Sequence, residues 1–127
     1  MTATADRPRV LVVDDNEDAA TTLSTLLTYA GFEVATCFDG ESALKVAEDF
    51  SPDACLLDIN MPGMDGYELA RRLREQHPDH APLLATLTAY EDYRHLTRAV
   101  DAGFDLHFTK PADPWEITEQ IGEMVRK

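Results

Sequence analysis

Continuous apolar runs alternate with amphipathic stretches along the whole chain, and that alternation limits what it can fold into. "RVLVVDD" (9–15), "DACLLD" (53–58) and "PLLATLT" (82–88) are apolar on both faces of an extended backbone, as strands covered on both sides must be. "EVATCF" and "FDLHF" read as further strands; the latter alternates Phe104, Leu106 and Phe108 with Asp105 and His107, which suits an edge wetted on one side. The intervening segments carry apolar residues at helical spacing. Ala19, Leu23, Leu26, Leu27 and Ala30 mark a helix from Asn16 to Gly31, and "GESALKVAEDF" a second that stops before Pro52. Leu69, Ala70 and Leu73 mark a third between Gly66 and His77. A fourth is expected from about Glu91 to Ala102, ended by Gly103. The last runs from about Asp113 to Arg126 with Ile117, Ile121, Met124 and Val125 inward.

Five strands each followed by a helix predict a parallel sheet with helices on both faces, because parallel neighbours need right-handed crossovers. The three most apolar strands belong in the centre. The order 2-1-3-4-5 satisfies this, giving a flavodoxin-like, doubly wound (βα)5 fold. The expected organisation is a flexible lead-in at 1–8 and a single domain over 9–127. Twenty-four acids against eleven Lys and Arg give a formal charge of −13, which repels nucleic acid and anionic lipid. No apolar run approaches the length of a membrane span, and the start lacks a secretory signal. Cys37 and Cys55 read as small core residues of a cytoplasmic protein.

In such a sheet, functional groups collect beyond the carboxyl ends of the strands. The first strand ends in Asp14-Asp15, the third in Asp58 and the fourth in Thr88, while the fifth runs into Lys110. Each alone has an ordinary explanation as a cap or a strand residue. Their meeting at one rim does not. Two carboxylates about 4 Å apart cost roughly 4 kcal/mol at an effective dielectric near 20, so the cluster calls for a proton or a divalent cation. Hard oxygen ligands on a wet rim favour Mg²⁺. A dication, an amine and a carboxylate together suit a phosphoryl group under attack by that carboxylate, with Asp58 as nucleophile.

With these motifs in place, the chain resembles the receiver domains of two-component response regulators, the CheY-like family. The likeness runs from Arg9 to about Val125 and rests on Asp14-Asp15, "LLDINMPGMDG", Thr88-Ala89 and Lys110-Pro111. They come in order, with 30 residues from Asp58 to Thr88 and 22 more to Lys110. The resemblance implies phosphorelay signalling, with a sensor histidine kinase or histidine phosphotransfer protein as donor and Asp58 as phosphoacceptor. It implies Mg²⁺ on Asp14, Asp15, Asp58 and the backbone carbonyl of Asn60, a switch hydroxyl at Thr88, a phosphate-binding amine at Lys110 and a cis peptide into Pro111. Such a domain phosphorylates itself and hydrolyses its own phosphoaspartate; it does not turn over an external substrate. One position departs from the family pattern: His107 stands three residues before the lysine, where many members carry Tyr or Phe. It is either a rotating switch or an exposed edge residue. Asn60 and Tyr90 flank the expected path of attacking water.

Output is expected through protein contacts on the face of the fourth helix, fifth strand and last helix. Trp115 is either a contact anchor there or a partial cover for the core edge. "GFDLHFTKPADP" is also similar to receivers within hybrid histidine kinases, which is one alternative context. A phosphorylation-independent interaction module is another, but such a module would lack an acid, the Thr or the Lys, and none is missing. A flavodoxin-type carrier needs a hydroxyl- and glycine-rich loop where this chain has "DDNED". An aspartyl phosphatase needs a second acid where Asn60 stands.

Overall fold

The computed structural model describes residues 7–88, 103–109 and 113–125. Their order is β1 (Arg9–Val13), α1 (Glu17–Tyr29), β2 (Glu33–Cys37), α2 (Gly40–Phe50), β3 (Ala54–Asp58), α3 (Gly66–Gln76), β4 (Leu83–Thr88), β5 (Leu106–Thr109) and a C-terminal helix (Pro114–Val125). The strands form one sheet in the order β2-β1-β3-β4-β5, all neighbours parallel. The expected fourth helix lies outside the described residues.

The alternation of strand side chains divides the core in two. Leu11, Val13, Cys55, Leu57 and Leu84 point to one side, where Ala43, Ala47, Leu69, Ala70 and Leu73 of α2 and α3 cover them. Val10, Val12, Leu56, Ala85 and Leu87 point to the other, under Ala20, Leu23 and Leu27 of α1 and Ile117 and Ile121 of the C-terminal helix. Every residue of β3 is buried, as befits the central strand. Each fully buried Leu or Ile contributes about 1.5–3 kcal/mol relative to exposure. Both cysteines are buried and free, and burial pushes both thiols up in pKa.

Each of the first three helices begins with a side chain that accepts an otherwise unpaired N–H. Asn16 takes that of Ala19 at 3.1 Å, Asp39 that of Ser42 at 2.7 Å and Asp65 that of Glu68 at 3.0 Å. Gly31, at φ +105°, adopts the left-handed backbone that turns the chain out of α1. None of the described helices is long and apolar enough to cross a membrane.

Three packing expectations need correction. In α1, Ala20, Leu23, Ser24 and Leu27 face inward, while Ala19, Leu26 and Ala30 are exposed. Ser24 is tolerated there because its hydroxyl shares a 2.7 Å hydrogen bond with Thr36 of β2. Met124 is exposed, while Ile117 and Ile121 face inward as expected, joined by Gly122, and Val125 packs half-buried against the same cluster. Phe104 does not share a face with Phe108. It lies ahead of β5 in the α2–α3 layer, its ring edge-on to Tyr67 at 6.2 Å, while Phe108 packs in the opposite layer.

Candidate functional site

Parallel register delivers the acids to one level. Val13 pairs with Leu57, so the next residues, Asp14 and Asp58, leave their strands side by side. Asp58 pairs with Leu87, so Thr88 ends the neighbouring strand one residue further on. Oxygens of Asp14, Asp15 and Asp58 lie within 4.8 Å of one another. Asp14 is 1% exposed and Asp58 5%, whereas Asp15 is open to water. Buried carboxylates need hydrogen-bond donors. Asp14 Oδ1 accepts the Asn16 N–H at 3.0 Å, and Asp58 Oδ1 accepts the Asn60 N–H at 3.2 Å. Both are local turns two residues long, and they set the carboxylate orientation from the backbone.

The segment after Asp58 explains the glycines of "NMPGMDG". Gly63 sits at φ +81°, a conformation that side chains rarely adopt. Gly66 starts α3 and donates its N–H to the Ile59 carbonyl at 3.0 Å. A Cβ there would lie 2.6 Å from the Asp58 carbonyl oxygen and 2.9 Å from Ile59 Cα. The start of α3 thus lies directly against the strand end that bears Asp58. Sequence reasoning missed this role of Gly66; its only trace was a glycine at the first position of a helix.

Asp14, Asp15 and Asp58 therefore come together as expected, and Asn60 stands at their edge. Thr88 closes β4, but its side chain lies outside the described residues, as do Tyr90, Lys110 and Pro111. His107 is exposed, and its Nδ1 lies 3.1 Å from the Thr86 hydroxyl, its register partner on β4. Thr86 is a buried residue that the sequence reading passed over. Trp115 is 77% exposed and does not cover the core edge.

Three clustered acids form a hard-oxygen donor set suited to Mg²⁺. The family model described as the response regulator receiver domain matches residues 10–122, and the chain belongs to that family. It is 36% identical over 119 residues to the alkaline phosphatase synthesis transcriptional regulatory protein PhoP of Bacillus subtilis, covering 94% of this chain and 49% of that protein. It is 38% identical over 120 residues to the transcriptional regulatory protein PrrA of Mycobacterium tuberculosis, covering 94% and 51%. The chain thus spans about half the length of these curated relatives. Among solved structures, a CheY-like receiver domain protein from Methanospirillum hungatei aligns with TM-score 0.86 at 26% identity, over 95% of each chain. A putative response regulator from Chloroflexus aurantiacus aligns with TM-score 0.87 at 30% identity, over 96% of this chain and all of that one. The chain is a receiver domain of two-component signalling, a family of signalling modules. Its acid cluster fits the pocket at which such domains bind Mg²⁺.

Proposed function

We propose that residues 9–127 act as a phosphoacceptor domain in the cytoplasm, taking a phosphoryl group onto Asp58 from a phosphohistidine of a sensor kinase or phosphotransfer protein. What supports this most is the meeting of buried Asp14 and Asp58 with Asp15 at the carboxyl end of the sheet. An Asp58 carboxylate oxygen attacks phosphorus in line. The phosphorus–nitrogen bond to the donor imidazole breaks, and that nitrogen leaves with the electron pair and takes up a proton. Asp14, Asp15, Asp58 and the backbone carbonyl of Asn60 would hold Mg²⁺, which when bound offsets the charge of the acids and of the phosphoryl oxygens. Lys110 pairs with a phosphoryl oxygen, and Thr88 donates a hydrogen bond to another.

The product is an acyl phosphate, labile enough to serve as a timed signal. Its formation changes the surface beyond Thr88 and Lys110, the face of the expected fourth helix, β5 and the C-terminal helix, where an output protein binds. The domain itself contacts no nucleic acid, since its charge opposes a phosphate backbone. Incubation with acetyl phosphate and Mg²⁺ tests the reading by intact mass. One phosphoryl group is expected, absent in Asp58→Asn and without Mg²⁺, and formed about a hundredfold more slowly in Lys110→Ala. An undiminished gain in Asp58→Asn would overturn it.

A further inference from the structure

The C-terminal end of α3 carries three buried side-chain atoms without a hydrogen-bond partner: Arg74 Nε, Gln76 Oε1 and His77 Nε2. Buried polar atoms are nearly always paired, so three together need a reason. A helix C-terminus favours a cation such as Arg74 but gives its N–H no acceptor. All three residues line two adjoining cavities at the amino ends of β3, β4 and β5, the edge of the sheet opposite the acid cluster. The larger cavity, about 530 Å³, holds Arg74 together with Asp53 and Asp105. The smaller, about 230 Å³, holds Gln76 and His77 against the apolar Ala47, Pro52 and Leu73. His80 and Pro82 line both and join them. A few convergent polar groups in a cleft of this size are what a small-molecule site requires.

In the larger cavity, charges of both signs are held apart. Asp53 Oδ2 accepts the Arg9 N–H at 2.8 Å and Asp105 Oδ2 the Leu84 N–H at 2.9 Å, so each carboxylate is tied to a strand backbone by one oxygen. The Arg74 guanidinium lies on Gly103, where an added Cβ would fall 2.7 Å from Cζ. Among the described residues no acid pairs with it. A simple anion would meet Arg74 but also two carboxylates and the field of a chain at −13. A simple cation would meet the carboxylates but also the guanidinium. A ligand carrying both charges satisfies both sets. In the smaller cavity, Gln76 Nε2 donates to the Leu44 carbonyl at 2.9 Å, which fixes the amide and leaves Oε1 as a free acceptor. We infer that the joined cavities bind a free α-amino acid with an uncharged polar side chain. Its carboxylate pairs with Arg74, its ammonium with Asp53 and Asp105, and its side chain donates to Gln76 Oε1.

The probes are L-serine, L-threonine, L-asparagine and L-glutamine, titrated into the whole chain and followed by nitrogen–proton correlation spectra. The Arg74 Nε–H signal, identified by its loss in Arg74→Lys, reports on the larger cavity directly. At least one probe should shift it saturably, with half-saturation at about 10 mM or below. Three controls should bind about tenfold more weakly or not at all: the N-acetyl derivative of that amino acid, which lacks the ammonium, its carboxamide, which lacks the carboxylate, and inorganic phosphate. Arg74→Lys should weaken binding about tenfold, read there from the Leu84 backbone N–H that bonds Asp105. Asp53→Asn and Asp105→Asn keep an acceptor for their backbone N–H groups but drop the charge, and each should weaken binding about threefold. Arg71→Gln removes a like charge from the exposed face of the same helix and should change nothing. Thermal melts identify any variant that fails to fold, and the two Asp→Asn changes provide independent replacements for it. No saturable shift with any of the four, equal binding of a singly charged derivative, or equal loss in Arg71→Gln would overturn the inference. Phosphate binding as tightly as the amino acid would overturn it in favour of a plain anion site. The titration contains neither Mg²⁺ nor a phosphoryl donor, so its outcome is independent of whether Asp58 is phosphorylated.

Discussion

The two described helical layers of this protein bury the same sheet alike but differ in what their own helices leave outside. On one side α2 and α3 close tightly: Gly40 lies against Met64, Gly66 lies against the Asp58 carbonyl, and Leu69 and Leu73 are fully buried. On the other, α1 and the C-terminal helix bury Leu27, Ile117 and Ile121 but leave Leu26, Tyr29 and Trp115 outside. The α2–α3 layer holds the site loop in place, and the α1 layer leaves large apolar side chains in water.

Substitution of one leucine on each layer probes that contrast most strongly. Leu69→Ala removes a fully buried side chain from α3 and should cost about 2–5 kcal/mol in denaturant unfolding. Leu26→Ala, on the exposed side of α1, should stay within about 0.5 kcal/mol. Equal costs would show that the two layers do not differ. Gly66→Ala comes next. Its methyl group would meet two backbone atoms that have no freedom to rotate away, so about 1–3 kcal/mol of overpacking is expected together with slower labelling by acetyl phosphate. Loss of stability with an unchanged labelling rate would separate the α3 start from the site.

The strand order, the two-sided core and the acid cluster were legible in the sequence because each follows from a periodicity or from parallel register. Helix faces were less so. Ala19, Ala20, Leu26 and Leu27 offer two overlapping stripes on α1, and only the placement of β2, through Ser24 and Thr36, selects between them. Phe104 fitted a strand alternation, yet β5 begins at Leu106 and its ring turns to Tyr67. That Tyr29 and Trp115 line one cleft could not be read from the sequence, since they lie far apart in the chain and meet only through the fold. Gly66 was hidden for the same reason: a close backbone approach has no side chain to announce it.

A smaller effect sharpens the comparison from the α2 end. The Ser42 N–H and hydroxyl hold the Asp39 carboxyl below its usual pKa. A depressed folded-state pKa stabilises above the unfolded value, 3.8, and that contribution is lost as pH falls through the folded value. Asp39→Asn keeps a good cap but cannot titrate. Its melting temperature should therefore fall less steeply than that of the unaltered protein below about pH 4. Identical acid slopes would remove Asp39 from the account.

The central claim is that phosphorus arrives on one named strand-end carboxylate. Borohydride reduces an acyl phosphate to an alcohol and leaves free carboxylates alone, so treating the labelled protein and sequencing its peptides by mass spectrometry locates the modified acid. Homoserine at position 58, with Asp14 and Asp15 unaltered, is the predicted result. Homoserine at either of those two positions, or nowhere in the 54–58 strand of a protein that has gained a phosphoryl group, would contradict it.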